Sequence, residues 1–304
     1  MKLLVVCGAT ATGKSDLAIS LAQHFDGEIV NADSMQIYRG MDIGTAKLSV
    51  EEREGIVHHL LDVLDVNQDS TVACYQSAAR AVITDIHARG KNAIVVGGTG
   101  LYIKSILDEL NFPDTDPTVR KNLEKELESI GLNALFERLE KLDPAAAIAI
   151  DRANSRRVIR ALEVIEITGM PFTANLPREA STRYPDAAQF GLVMDREKLN
   201  ERISARVDRM WDEGFVSEVE TLLGFGIKEG RTAQLALGYS QIIAYLEGRM
   251  SQDEAREDTK RATRQYARRQ ETWFSRDERI TWISPVQPRL QTVLAHLEKL
   301  DSLQ

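Results

Sequence analysis

The feature that most constrains this chain is an eight-residue glycine loop close to its first residue. Residues 8–15 read Gly-Ala-Thr-Ala-Thr-Gly-Lys-Ser and fit the pattern Gly-x-x-x-x-Gly-Lys-Ser/Thr at every fixed position. A continuous apolar run, residues 3–7, precedes the loop, and residues 16–24 follow it with apolar side chains at helical spacing. In this order of strand, loop and helix, backbone N–H groups and the helix N-terminus surround a phosphate. The sequence therefore predicts a phosphate-binding loop.

Two side chains of this loop predict its chemistry. Lys14 supplies a mobile positive charge to the phosphates, and the Ser15 hydroxyl is placed to ligate a Mg²⁺ ion that the phosphates share. The motif alone leaves open which diphosphate or triphosphate is bound. The predicted phosphate-binding residues are Gly8, Ala9, Thr10, Ala11, Thr12, Gly13, Lys14 and Ser15.

Apolar strands separated by helices predict an α/β core around this loop. Residues 28–32 and 93–97 read as buried strands without polar alternation, and residues 71–89 read as a helix between them. Such strands are typical of a parallel sheet covered on both faces, so we expect a P-loop NTPase-like fold.

The character of the sequence changes near residue 110. A turn-rich segment at 112–117 leads into helical sequence at 119–140 and 154–168, and strand-like residues return at 189–194. We interpret the stretch between as a helical insertion domain. The expected division is a first core segment at 1–111, an insertion at 112–185, and a core continuation at 186–304 with basic helices and a last edge strand at 280–283.

Asp33 follows the second predicted strand, at the sheet edge where ligands bind in open α/β folds. Near a phosphate and Mg²⁺, this carboxylate can be a metal ligand, a general base or a hydrogen-bond acceptor for a substrate amine. It can also be a plain turn aspartate. Residues 33–47 are rich in glycine and polar side chains although they follow a buried strand, which favours a functional loop.

A third loop, residues 97–102, follows the strand at 93–97. A P-loop ATPase usually has a Walker-B acid at such a strand end, whereas this strand ends in glycines that allow a ligand to approach the backbone closely. Three loops converging on one edge of a sheet predict a shared pocket.

Charge is distributed unevenly along the chain. The net charge is −8, but eight Arg and Lys residues lie between 256 and 279, and a second cluster lies between 152 and 160. Either cluster can be a solvated helix face paired with nearby acids, or a surface for a polyanion such as RNA, because local charge decides such binding.

The remaining composition predicts a soluble protein of a reducing compartment. Only Cys7 and Cys74 occur, and no stretch approaches the ~20 apolar residues of a membrane helix. The first apolar run leads directly into the glycine loop and leaves no room for a cleavable signal peptide. We therefore expect a cytoplasmic protein, without membrane contact and monomeric.

Several motifs together resemble the tRNA dimethylallyltransferase (tRNA isopentenyltransferase) family of the bacterial type. The resemblance covers nearly the whole chain in the expected order. Its pieces are the glycine loop, residues 33–47 (DSMQIYRGMDIGTAK), 97–102 (GGTGLY), 157–163 (RVIRALE), Gly238-Tyr239 and 263–274 (TRQYARRQETWF).

The resemblance implies transfer of a dimethylallyl group from dimethylallyl diphosphate to the exocyclic amine of an adenosine beside the tRNA anticodon. The glycine loop then binds the diphosphate leaving group rather than ATP, with Lys14 and Mg²⁺ on Ser15 neutralising its charge. Asp33 is implied to accept the amine proton. The implied tRNA-contacting residues, which would bind the anticodon stem-loop, are Asp33, Ser34, Met35, Gln36, Thr99, Arg120, Arg156, Arg157, Arg160, Gly238 and Tyr239.

The sequence departs from the family pattern at few places. Ala9, Thr12 and Ser15 stand where proline, serine and threonine are common, which keeps both hydroxyls. Ser240 stands where an arginine can occur, so one tRNA contact is in doubt. The zinc finger of eukaryotic members has no Cys/His counterpart after Trp273.

Three other functions remain open from sequence. A small-molecule kinase shares the glycine loop, and its lid arginines can be imitated by Arg156, Arg157 and Arg160. An isopentenyltransferase acting on free AMP, ADP or ATP differs only in its acceptor. A non-catalytic RNA-binding module would leave the Asp33 loop without a role.

Overall fold

The computed structural model describes residues 1–175, 181–286 and 288–302. Within these ranges a six-stranded parallel sheet has the order β3-β2-β4-β1-β5-β6. Every strand except β2, which is followed by β3, leads into helical sequence, and the parallel sheet confirms the predicted α/β, P-loop NTPase-like core. The strands are β1 (Leu3–Gly8), β2 (Gly27–Asn31), β3 (His58–His59), β4 (Asn92–Val96), β5 (Ala188–Leu192) and β6 (Ile280–Ile283).

Eleven α-helices occur in the described part of the chain. They are α1 (Lys14–His24), α2 (Val72–Ala88), α3 (Gly100–Leu107), α4 (Pro117–Leu142), α5 (Pro144–Ala149), α6 (Ser155–Thr168), α7 (Arg196–Asp212), α8 (Phe215–Gly224), α9 (Tyr239–Leu246), α10 (Gln252–Phe274) and α11 (Arg289–Asp301).

Alternating residues of the strands build two apolar layers, one on each face of the sheet. Val5 and its neighbours on β2 and β4 pack against α2 and α3. Leu4 and its neighbours on the opposite face pack against α1 and, through Val293 and Leu297, against α11. Because both faces are covered, the strands carry no polar alternation, as expected for a parallel sheet.

The chain divides into two compact units, one of residues 1–107 with 184–304 and one of residues 108–183. The second unit has its own apolar core, built from α4, α5 and α6 around Leu135 and Leu162. Residues 176–180, within the predicted insertion of 112–185, and residues 287 and 303–304 lie outside the described part of the chain.

Helix starts follow short polar side chains that satisfy free backbone N–H groups. Asp116 caps α4, Asp143 caps α5 and Asn154 caps α6, each through its side-chain oxygen. Ser251 and Glu254 form a capping box at the start of α10. The predicted segment 119–140 is two helices joined at Gly131, where φ is +81°.

Three elements have no counterpart in the sequence prediction. β3 is two residues long, which is too short for a periodic signal. α3 begins inside the predicted third loop, at Gly100. α11 begins at Arg289, directly after Pro288. The strand predicted at 189–194 ends two residues earlier, at Leu192.

Candidate active site

The glycine loop connects β1 to α1 and is supported from outside by two helices. Ala9 and Ala11 pack against Leu199 and Ile203 of α7 and against Ala267 of α10. The apolar character of this cluster explains why an alanine is suited to position 9. The loop is therefore held in place by two helices from the second half of the chain.

Lys14 folds back over the loop. Its Nζ donates to the carbonyl oxygen of Ala9 at 2.8 Å, and the Thr12 hydroxyl donates to the same oxygen at 2.8 Å. Burial lowers the pKa of Lys14 from 10.5 to about 8, an effect that the nearby carboxylate of Asp33 opposes and the guanidinium of Arg206 reinforces. A lysine held in this way gains most from a bound anion, because the anion replaces the water that it has lost.

Asp33 lies just beyond β2, separated from β1 by β4 in the sheet. Its Oδ1 accepts the backbone N–H of Met35 at 2.8 Å, and its own N–H donates to the side-chain oxygen of Asn31 at 3.1 Å. The turn-aspartate role is thus real, but it uses only Oδ1. Among the described residues no hydrogen bond involves Oδ2, which leaves this oxygen for a ligand.

The third predicted loop meets the Asp33 loop through hydroxyl groups. Thr99 Oγ1 accepts the N–H of Ser34 at 3.1 Å and donates to the Ser34 hydroxyl at 3.3 Å. A Cβ on Gly97 would lie 2.2 Å from the carbonyl oxygen of Ala32, so only glycine permits this backbone contact. The absence of an acid at this strand end therefore has a steric reason, the contact between the two loops.

Helix α10 joins the loops through one amide side chain that the sequence reasoning did not single out. Gln270 is buried, and its Oε1 accepts the N–H of Thr10 at 2.8 Å while its Nε2 donates to the carbonyl of Gly98 at 2.9 Å. Burial together with the charge of nearby Asp33 raises the pKa of Tyr266, one turn earlier on the helix, to about 12. Helix α10 thus contacts the glycine loop and the third loop through Gln270.

A cavity of about 290 Å³ opens at this edge of the sheet. Thr10 and Ala11 of the glycine loop and Asp33, Ser34 and Met35 of the second loop line it, so two of the three loops predicted to share a pocket do so, and residues 97–102 are not in its lining. Apolar side chains line the other walls. They include Ile203, Val207, Met210, Phe215 and Leu235.

Three other predicted site residues support the loops around the cavity. Gln36 donates to the carbonyl of Thr45 at 3.0 Å, inside the 33–47 loop. The Tyr239 ring lines the cavity, but its hydroxyl donates to Glu218, whose carboxylate also accepts the N–H of Ile43 at 2.7 Å. Gly238 stands at φ +85° before α9 and makes room for the ring of Phe215.

In the unit of residues 108–183, Arg120 and Arg160 share one buried carboxylate. Glu163 is fully buried, and its Oε2 lies 2.9 Å from Nη1 of Arg160 and 3.4 Å from Nη1 of Arg120. Arg160 also donates to the carbonyl of Pro113 at 2.7 Å. By contrast, Arg156 and Arg157 are exposed and form no ion pair within the described residues.

In the basic cluster of residues 256–279, several cations pair with local acids. Arg256 lies 2.6 Å and Lys260 lies 2.7 Å from Asp208, and Arg261 pairs with Asp258. The solvated-helix interpretation therefore holds for this part of α10. Arg269 is different, since it lines the cavity and lies 5.6 Å from the ring centre of Tyr266.

One cation at the glycine loop was missed by sequence reasoning. Arg206 of α7 is half-buried, lines the cavity and donates from Nη1 to the Thr10 hydroxyl at 3.5 Å. Burial lowers its pKa, as do Arg202 and Arg209 on the same helix. An arginine on a helix far from the loop in sequence carries no local signal, so only the fold reveals it.

Comparison with known proteins gives one consistent result. The sequence model of the IPP transferase family matches residues 36–277. A tRNA dimethylallyltransferase of Thermobifida fusca (strain YX) is 56% identical over 286 residues, 92% of this chain and 89% of that protein. One from Paenarthrobacter aurescens (strain TC1) is 52% identical over 288 residues, 95% and 92% of the two chains.

Solved structures agree with these sequence matches. The full-length tRNA isopentenylpyrophosphate transferase of Bacillus halodurans has a TM-score of 0.71 at 38% identity, over 99% of this chain and 96% of that one. A eukaryotic dimethylallyltransferase acting on tRNA has a TM-score of 0.78 at 29% identity, over 93% and 74%. With a family match over most of its length, relatives above half identity and the same fold, this chain belongs to the IPP transferase family.

Proposed function

We propose that this protein transfers a dimethylallyl group from dimethylallyl diphosphate to the exocyclic amine of an adenosine next to the tRNA anticodon. The observation that carries the proposal is the cavity that joins the glycine loop to Asp33 between apolar walls. A diphosphate fits the loop, a five-carbon chain fits the apolar walls, and an amine fits the free oxygen of Asp33. The names of the relatives supply tRNA as the acceptor class.

The diphosphate end of the donor would be held by charges already in place. Lys14 and Arg206 lie at the loop, and each has a lowered pKa because burial has removed part of its water. The attraction between these two cations and the diphosphate strengthens as the allylic C–O bond breaks, because the electron pair of that bond leaves with the diphosphate oxygen.

The acceptor amine would meet the carboxylate of Asp33. As the new C–N bond forms, the amine gains positive charge and must lose a proton, which Oδ2 of Asp33 accepts. The Met35 N–H fixes the other oxygen at 2.8 Å and so orients the carboxylate. Because the target base must leave the anticodon-loop stack to reach this cavity, a single-stranded loop is the suitable substrate.

The residues at the loop fit a Mg²⁺ ion whose ligands come mainly from the bound diphosphate and from water. The Ser15 hydroxyl, in the first turn of α1, has no hydrogen-bond partner within the described residues, and no cluster of three His, Cys, Asp or Glu side chains occurs there. Ser15 would hold Mg²⁺ together with diphosphate oxygens and water, as this ion prefers. When bound, the ion neutralises charge on the leaving group.

The tRNA body would be bound by arginines that the fold leaves without acidic partners. Arg156 and Arg157 are exposed and have no acidic partner within the described residues. Arg120 and Arg160 are instead positioned by Glu163. In the described residues no helix is both long enough and apolar enough to span a bilayer.

The test is incubation with unmodified tRNA, dimethylallyl diphosphate and Mg²⁺, followed by mass analysis of the nucleosides. The expected product is an adenosine heavier by one dimethylallyl group in place of a proton. A parallel reaction with AMP, ADP and ATP separates tRNA from free nucleotides as acceptor, and binding of labelled ATP against dimethylallyl diphosphate separates a kinase. Absence of the modified nucleoside in tRNA would refute the proposal.

A further inference from the structure

Helix α11 brings one arginine to the glycine loop from beyond the region that the family model matches. The match ends at residue 277, and Arg289 is the first residue of α11. Val293 and Leu297 of this helix pack on the same face of the sheet as Leu17 and Leu21 of α1. The first turn of α11 is thereby placed beside the first turn of α1.

Arg289 occupies space that a glycine leaves open in the loop itself. A Cβ on Gly13 would lie 2.6 Å from Nη1 of Arg289 and 3.4 Å from Oδ2 of Asp16. Gly13 has φ +88° and directly precedes Lys14, so the guanidinium lies at the N-terminal end of α1. That end presents free backbone N–H groups and already favours an anion.

Positive charge at this place is not balanced by a bound acid. Burial and the neighbouring Arg202 both lower the pKa of Arg289, and Asp16 only partly opposes them. Among the described residues no carboxylate lies within ion-pair distance, 4.0 Å, of Arg202, Arg206 or Arg289. A half-buried guanidinium without a partner is costly, and an anion with two or more charges removes that cost.

Arg206 and Arg289 approach the loop at two different residues. Arg206 reaches Thr10 at one end, and Arg289 reaches Gly13 at the other. Arg202, one helical turn before Arg206 on α7, is the like-charged neighbour of both. A diphosphate has two linked phosphoryl groups and can therefore engage a cation at each of these two places.

We propose that Arg289 is a further binding residue for the diphosphate group of the prenyl donor and of the diphosphate product. This inference rests on the proposed function for the identity of the donor, but the binding of diphosphate itself can be measured without any acceptor. In this arrangement Lys14 and Arg206 hold one phosphoryl group, and Arg289 donates hydrogen bonds to the other.

The test uses inorganic diphosphate with Mg²⁺ as the probe and isothermal titration calorimetry on the full chain. Arg289→Gln removes the charge and is expected to weaken binding about 10- to 100-fold, as for loss of a charge-assisted hydrogen bond. Arg289→Lys keeps the charge but loses the forked geometry, so an intermediate weakening is expected. Arg202→Gln is expected to weaken binding less, because its side chain is exposed.

Arg249→Gln serves as the matched control, because Arg249 is exposed and pairs with Glu247. Its diphosphate affinity should equal that of the unmodified protein. Melting temperatures without ligand show whether each variant is folded. Should Arg289→Gln fail to fold, Arg289→Lys carries the test through its change in affinity.

An unchanged diphosphate affinity in folded Arg289→Gln and Arg289→Lys would overturn the inference. Turnover of the unmodified protein on tRNA is measured separately. If it forms no prenylated nucleoside but its diphosphate affinity depends on Arg289, the proposed function fails and the binding site stands. If product forms while neither diphosphate affinity nor the KM for the donor changes in Arg289→Gln, the binding site alone fails.

Discussion

Replacing Lys14 by methionine removes an ammonium group whose charge is destabilised by burial in the folded protein. The pKa of Lys14 falls from 10.5 to about 8, chiefly because burial disfavours the ammonium group. A drop of about 2.5 units corresponds to roughly 3 kcal/mol of destabilisation at neutral pH. Since the side chain is only half-buried, we discount this to about 1.5 kcal/mol. Loss of the hydrogen bond to Ala9 offsets about 0.5 kcal/mol.

Lys14→Met is therefore expected to be more stable than the unmodified protein by about 1 kcal/mol at pH 7. For a unit of this size that is a rise of about 2–4 °C in melting temperature. The sign follows from proton linkage: the folded state loses its proton near pH 8, while the unfolded state keeps it until about 10.5. The unmodified protein gains stability across that interval, so the advantage of the variant shrinks as pH rises.

The assay is thermal unfolding followed by circular dichroism at pH 7 and pH 9.5, with Lys198→Met as an exposed control on α7. Added diphosphate should raise the melting temperature of the unmodified protein more than that of Lys14→Met. This reasoning is refuted if Lys14→Met is less stable than the unmodified protein at pH 7. It is also refuted if the difference in melting temperature between the two proteins is the same at both pH values.

Three further substitutions test other parts of the structure. Asp33→Asn should lower turnover about 10²- to 10⁴-fold and leave the affinity for diphosphate nearly unchanged. If its turnover equals that of Asp212→Asn, a control at an exposed position, the proton-acceptor role is wrong. Glu28→Gln should lower the free energy of unfolding by about 1–2 kcal/mol at pH 7, because hydrogen bonds from Arg89 lower the pKa of Glu28 to about 2. In urea unfolding, the difference in this free energy between the variant and the unmodified protein should narrow as the pH falls from 4.5 toward 2. A difference that does not depend on pH would exclude this cause. Glu163→Gln should destabilise the unit of residues 108–183 by about 2–3 kcal/mol and weaken tRNA binding in a filter assay, and unchanged values of both would show that the buried carboxylate positions nothing.

Local sequence signals predicted those parts of the fold that local physics controls. The glycine loop, its flanking strand and α1 follow from one motif and one periodicity. The order β1, β2, β4 with intervening helices was enough to predict a parallel sheet. β3 was missed because it is two residues long and pairs with β2 only through a long connection.

The support around the site depends on contacts that no local pattern encodes. Gln270 touches Thr10 and Gly98 across sequence separations of 260 and 172 residues. On α10 it is one polar residue in a strongly polar helix, and only its burial distinguishes it. Gly97 could be read as a glycine that admits a ligand, whereas it admits the backbone of Ala32. Tertiary contact decided between these two interpretations.

The arginines illustrate the same limit, and they also show where function resides. Sequence alone gave two basic clusters and no means to choose among their members. The fold neutralises Arg256 with Asp208 and leaves Arg156 exposed without an acid, so the two can no longer be treated alike. Arg206 and Arg289 lie in neither sequence cluster, yet the fold places both at the phosphate loop, half-buried and without a carboxylate. Because an unpaired buried charge is retained only where a ligand or a partner balances it, the absence of an acid marks these two residues more strongly than charge density does.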